Sequence, residues 1–187
     1  MPDKTIWQAF LSGDKTALTE VFMTNYDDLY RYGYKLIRDK NLVEDAIQDL
    51  FFRLWKNRSA IRQVDNPKPY LFKSLRNHIR DSISKIRPCV ELCDITEDHL
   101  NIEYSYEDFL VNDQITKSIR QKVVDALNKL PAKQREIIYL RYFEDIDFDT
   151  IARIMEIKVQ SVRNSLHRGM IALRDLMLLQ PFLTMLG

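Results

Sequence analysis

The chain of 187 residues is poor in glycine, cysteine and histidine: it has four, two and three of them. Few glycines with long periodic stretches between them argue against a turn-rich sheet fold and for helices. No glycine-rich phosphate loop and no HExxH helix appear, and no nucleophile is spaced to pair with a base. An enzyme is therefore not expected, and neither catalytic residues nor a cofactor are assigned. Cys89 and Cys93, even with His99, fall short of a four-ligand zinc set, so reduced thiols in a loop are the better reading. No apolar run approaches the roughly 20 residues that span a bilayer. The start, Met1-Pro2-Asp3-Lys4, lacks a basic stretch followed by an apolar core. A cytoplasmic location is expected.

What is present is an ordinary globular composition, 45% hydrophobic and 29% charged, with an uneven distribution of charge. From Asn66 to Pro88 six cations (Lys68, Lys73, Arg76, Arg80, Lys85, Arg87) face one acid, Asp81. From Cys89 to Thr116 there are eight acids and no Lys or Arg. From Thr150 to Leu176 five cations (Arg153, Lys158, Arg163, Arg168, Arg174) again outnumber two acids, Glu156 and Asp175. With the helical periodicity, two basic segments flanking an acidic one suggest an all-α chain of two small helical domains. The first covers residues 1–87, an acidic linker covers 88–111, and the second covers 112–187 and holds a helix-turn-helix.

In the first domain, Val43, Ala46, Ile47, Leu50 and Leu54 fall on one face of a helix and read as core. Asp45, Gln48, Asp49 and Phe52 fall on the opposite face, with Trp55 at its margin. Acids around an aromatic anchor suit a basic protein partner; alternatively, Phe52 and Trp55 pack on another helix of the same domain. Pro67 opens a second helix in which Leu71, Leu75, Ile79 and Ile83 form an i, i+4 ridge. Lys68, Lys73, Arg76, Asn77 and Arg80, interleaved with Tyr70 and Phe72, are expected to lie off that ridge and meet nucleic acid. Cations hold phosphates there and aromatics stack on unpaired bases. The stretch from Asn57 to Asn66 reads as a loop able to receive an extruded base.

The sharpest local pattern is Phe148 to Leu166, which fits a helix-turn-helix. Ile151, Met155, Ile157, Val162 and Leu166 are apolar where the helices meet, and Ala152 is small where they cross. The second helix exposes Gln160, Ser161, Arg163, Asn164, His167 and Arg168, side chains that can bond base edges or phosphates in a major groove. A helical hairpin that does not touch DNA is the plainer alternative.

Taken together, these segments resemble the extracytoplasmic-function (ECF) group of bacterial sigma factors over most of the chain. Glu44 through Trp55 is similar to the family's polymerase-binding helix, Asn66 through Arg80 to the part that opens and reads the minus-ten element, and Leu130 through Gly169 to the domain that reads the minus-thirty-five element. The resemblance implies an alternative sigma factor. Its partners would be core RNA polymerase (the beta-prime clamp helices and the beta flap), promoter DNA and an anti-sigma protein, often membrane-embedded, with no small-molecule substrate. The acidic linker, to which Tyr104, Tyr106, Phe109 and Leu110 can give local anchors, is similar to the family's connector. Glu156 and Asp145 stand where glycine is usual, and Lys158 where a Ser or Thr cap is common; a non-glycine residue at positive φ costs about 1 kcal/mol. A two-domain regulator with an N-terminal sensor would share the C-terminal pattern. The Asp45–Trp55 helix and the basic Pro67–Arg80 segment are features that a sensor does not need.

Overall fold

The computed structural model describes residues 4–61, 66–86, 100–109 and 117–183. Among the described residues there are eight α-helices and no strand: α1 Lys4–Leu11, α2 Lys15–Ile37, α3 Lys40–Lys56, α4 Lys68–Ile86, α5 Lys117–Asn128, α6 Ala132–Tyr142, α7 Phe148–Met155 and α8 Val159–Leu183. Short 3₁₀ turns lie at Arg58–Ala60 and Tyr106–Phe109. None of the described helices is long and apolar enough to cross a membrane. The chain divides into two compact units, residues 1–99 with 153–156 and residues 100–152 with 157–187. Cys89, Cys93, His99 and most of the acidic stretch lie outside the described residues.

The first unit is a helical bundle whose elements are set by their caps. Asp14 caps α2, its carboxylate accepting from the Thr16 and Ala17 amides at 2.7 and 3.4 Å. Arg38 ends α2 in the left-handed region (φ 50°), its amide donating to the Tyr34 carbonyl at 2.9 Å. Asp39 then caps α3 through the Leu42 amide at 3.1 Å. This two-residue link turns α3 back onto α2. The helices come close at Gly33, where an added Cβ would lie 3.0 Å from Val43 Cγ1. Trp7, Phe10, Leu29, Tyr32, Ile47, Leu71, Leu75 and Ile79 fill the core.

Helix α4 packs on both α2 and α3, and this overturns part of the expectation for its polar face. A helix with two packed neighbours needs a wider inward stripe than one i, i+4 ridge. Leu71, Phe72, Leu75, Arg76 and Ile79 are all buried. Phe72 is fully buried and stacked on Tyr32 at 4.9 Å between centroids, and Arg76 is 2% exposed. Neither has a surface to offer a base or a phosphate, so both leave the set of nucleic-acid contacts.

In the second unit, α5, α6 and α8 pack together, closest at Gly169, where a Cβ would meet Ile138 Cδ1 at 3.3 Å. The expected linker does not run free to 111. Leu100, Ile102 and Tyr104 are buried in this unit. The side-chain amide of Asn128 clamps the Tyr104 backbone, accepting from its N–H at 2.8 Å and donating to its carbonyl at 2.9 Å. The Tyr104 hydroxyl donates to the Arg135 carbonyl at 2.9 Å. Arg135 in turn donates to the Asn101 side chain and, at 3.3 Å, to the Asn128 carbonyl. Alternating apolar residues at 100, 102 and 104 form a strap against α5 and α6, and Asn101 and Glu103 between them do not prevent it.

Candidate functional site

On α3 the buried stripe is the expected one: Val43, Ala46, Ile47, Leu50 and Leu54 all face the core. The opposite face is open. Asp45, Gln48 and Asp49 are exposed, and Phe52 is 66% exposed, so it does not pack on another helix of the unit. Trp55 is half-buried: its ring lies 6.4 Å from Phe10 and carries the Arg58 guanidinium at 4.4 Å. It borders this face and is not its anchor. Asp49 also lies 3.5 Å from His78 Nε2 on α4 and 3.9 Å from Arg53.

The remaining residues of α4 divide into two groups. Lys68 is half-buried, with Nζ 2.9 Å from Asp28 and over the Phe72 ring at 5.3 Å. Part of its charge is thus already neutralised. Tyr70 is exposed at its edge and leans on Trp7 at 6.4 Å. Lys73, Asn77 and Arg80 are partly exposed. Between α3 and α4 lies an open cavity of about 290 Å³ lined in part by Tyr70, Ser74, Asn77 and His78 from α4, Arg53 from α3 and Asn57 just after it. The Asn77 side-chain oxygen is buried with no hydrogen-bond partner. An unsatisfied buried acceptor costs roughly 1–3 kcal/mol, and this oxygen is closed to solvent rather than open to the cavity. Ser74 was not singled out from the sequence, though the spacing 70, 74, 77, 81 puts it on one stripe of α4 that lines this cavity.

In the second unit, Asp147 caps α7 by accepting from the Thr150 amide at 2.9 Å. The turn between α7 and α8 passes through Glu156 at φ 57°, and the Ile157 amide donates to the Ala152 carbonyl at 3.0 Å. Asp145 also has positive φ, at 49°. Both positions thus have the backbone conformation that explains why glycine is usual there. Lys158 sits before α8, its carbonyl accepting from the Ser161 and Val162 amides at 2.8 and 3.2 Å. Along α8, Gln160, Arg163, Asn164, His167 and Arg168 are exposed and Ser161 is half-buried. Gln160 donates to Asn164 Oδ1 at 2.9 Å, and Arg168 Nε to the Asn164 carbonyl at 3.4 Å. The helix therefore presents a continuous polar, basic face. The sequence reading missed Phe148 and Arg141 beside it; Arg163 and Arg141 both lie over the Phe148 ring.

The comparisons with known proteins divide along the same line. Sigma-70 region 2 matches residues 21–88 and Sigma-70, region 4 matches residues 120–173. The ECF RNA polymerase sigma factor SigW of Bacillus subtilis (strain 168) is 27% identical over 171 residues, 87% of this chain and 89% of its own. Among solved structures, the sigma factor RpoE of Bartonella quintana in complex with the anti-sigma factor NepR shares the fold (TM-score 0.60, 21% identity, 84% of this chain and 94% of that one). So does CnrH in complex with the cytosolic domain of CnrY (TM-score 0.61, 16% identity, 94% and 97%). The region 2 match takes the place that a sensor domain would occupy, and the regulator reading is not favoured. With region 2 in the N-terminal half, region 4 in the C-terminal half and ECF relatives matched along most of their length, the chain belongs to the ECF group of the sigma-70 family, alternative sigma factors that bind core RNA polymerase and direct promoter recognition and transcription initiation.

Proposed function

We propose that Asp45, Gln48, Asp49 and Phe52 on α3 form the surface by which this sigma factor docks on core RNA polymerase, with Trp55 at its edge. The observation that carries the proposal is Phe52, a large aromatic 66% exposed in a ring of two carboxylates and an amide. Aromatic anchors of this kind concentrate binding energy, at ≥ 2 kcal/mol each, and the acids select a basic partner. Family resemblance makes the beta-prime clamp helices the partner of this face and the beta flap a partner of the second unit.

The two units divide the promoter. Arg163, Asn164, His167 and Arg168, with Gln160 and Ser161, read duplex DNA at the minus-thirty-five element. The first unit takes the opened minus-ten strand. Lys73 and Arg80, with Lys68 behind them, hold phosphates, while the cavity beside Tyr70 and Asn77 accepts an extruded base. Flipping costs a few kcal/mol, and stacking on an aromatic returns about 1–3 kcal/mol per base. The protein has no catalytic role of its own and works in the cytoplasm. The RpoE neighbour was solved with the anti-sigma factor NepR bound, and CnrH with the cytosolic domain of CnrY; an anti-sigma partner is proposed here as well.

The test is core binding by an Asp49→Arg, Phe52→Ala double variant. Binding is expected to be lost, by at least 30-fold from the aromatic alone, with helical content unchanged. Parental affinity would remove this face from the interface.

A further inference from the structure

Two arginines from different helices share one aromatic ring in the second unit. The Arg163 guanidinium carbon lies 5.4 Å from the centre of the Phe148 ring, and that of Arg141 lies 5.5 Å from it. Both are within cation–π range. Arg141 is further tied down by the Ile146 carbonyl at 3.3 Å and the exposed Asp145 carboxylate at 3.4 Å. Arg163 has no carboxylate partner among the described residues, and the ring is the contact that holds its head group. Phe148 is half-buried at the first position of α7, so the ring is fixed by the helix-turn-helix itself.

Bringing two like charges to one ring concentrates positive potential beside the recognition helix. The arrangement is repaid when an anion arrives. An unrestrained arginine also loses rotamer freedom when DNA binds, and a guanidinium already laid on a ring loses less. We infer that Phe148 is a positioning residue for promoter recognition: it pre-orients Arg163 for the upstream element and recruits Arg141 as a second cation for the DNA backbone. The inference rests on the reading of α8 as the helix that meets DNA.

The test uses holoenzyme reconstituted with core polymerase on a promoter fragment mapped by transcript-start sequencing. Closed-complex affinity is measured as a function of salt. Phe148→Leu keeps an apolar side chain but removes the π face, and Phe148→Tyr keeps both. Phe148→Leu is expected to weaken upstream binding by roughly two- to fivefold for each guanidinium released, and Phe148→Tyr to restore it. Arg141→Ala is expected to lower the salt slope by about 1. In a Phe148→Leu, Arg163→Ala cycle the losses should be less than additive, the double variant falling below Arg163→Ala only by the roughly two- to fivefold carried through Arg141, and Phe148→Leu should add nothing once both arginines are alanine. Fully additive losses, or parental binding by Phe148→Leu while Arg163→Ala is impaired, would overturn the positioning role. Parental binding by Arg163→Ala would instead refute the reading of α8.

Discussion

Removing the hydroxyl or the whole ring of Tyr104 separates two accounts of the segment before α5. If residues 100–109 were free linker, neither change would affect stability. In the structure the ring is 2% exposed among Phe109, Tyr139 and Phe143, with centroids at 5.4–6.5 Å. Tyr104→Phe loses one buried hydrogen bond, to the Arg135 carbonyl, at a cost of about 1 kcal/mol. Tyr104→Ala empties the site, at about 3–5 kcal/mol. For a unit of this size 1 kcal/mol shifts the melting midpoint by roughly 4–8 °C. Tyr104→Phe should thus lower the second unit's transition by several degrees, and Tyr104→Ala should leave it barely folded. Burial, followed by the neighbouring Tyr139 and Asp108, also raises the phenol's pKa in the folded state. Stability from this group is therefore full below the ordinary tyrosine value of about 10 and falls as pH rises above it, since only the unfolded chain then releases the proton. Tyr104→Phe should flatten that alkaline decline. Calorimetry of the full chain, read at the second unit's transition, checks all of these. A Tyr104→Ala variant that melts with the parent would refute the strap.

Other expectations follow from local geometry. Asp145→Gly and Arg38→Gly should each raise stability by roughly 0.5–1 kcal/mol, because both residues hold positive φ; a lowered midpoint would contradict this. Gly33→Ala should destabilise the first unit by roughly 1 kcal/mol despite its better helix propensity, because Val43 Cγ1 is only 3.0 Å from the new carbon. Denaturant melts decide the sign. Asn77→Ala should slow open-complex formation and be partly rescued by a pre-melted bubble template, whereas Arg163→Ala should weaken closed complexes and not be rescued. Permanganate footprints that show the same defect for both would end the division of labour.

Much of this architecture is legible in the sequence because helices carry their own periodicity. The α3 core stripe, the helix-turn-helix and the two positions that ask for glycine all stand where the spacing puts them. The misreading of α4 has a physical origin, which is that a helix pattern does not reveal how many neighbours the helix has. Phe72 looks like a surface residue if α4 has one packed face, and it is buried against Tyr32 of α2 because α4 has two. Tyr104 and Phe109 mark anchors of the strap in the sequence, but charge hid its extent. Glu103, Glu107 and Asp108 make the segment look solvated, yet alternate residues point inward, and Asn128 completes the backbone bonding from 24 residues away. The cavity at Asn77 depends on two helices brought together, which neither helix's own sequence records.

The central claim is tested most directly by run-off transcription with purified core polymerase, this chain and genomic DNA, with start sites mapped. Discrete starts with shared upstream and minus-ten elements are expected with the parent chain. They should be lost with Asp49→Arg, Phe52→Ala at unchanged helical content. A profile no different from core alone, or a double variant as active as the parent, would contradict the account.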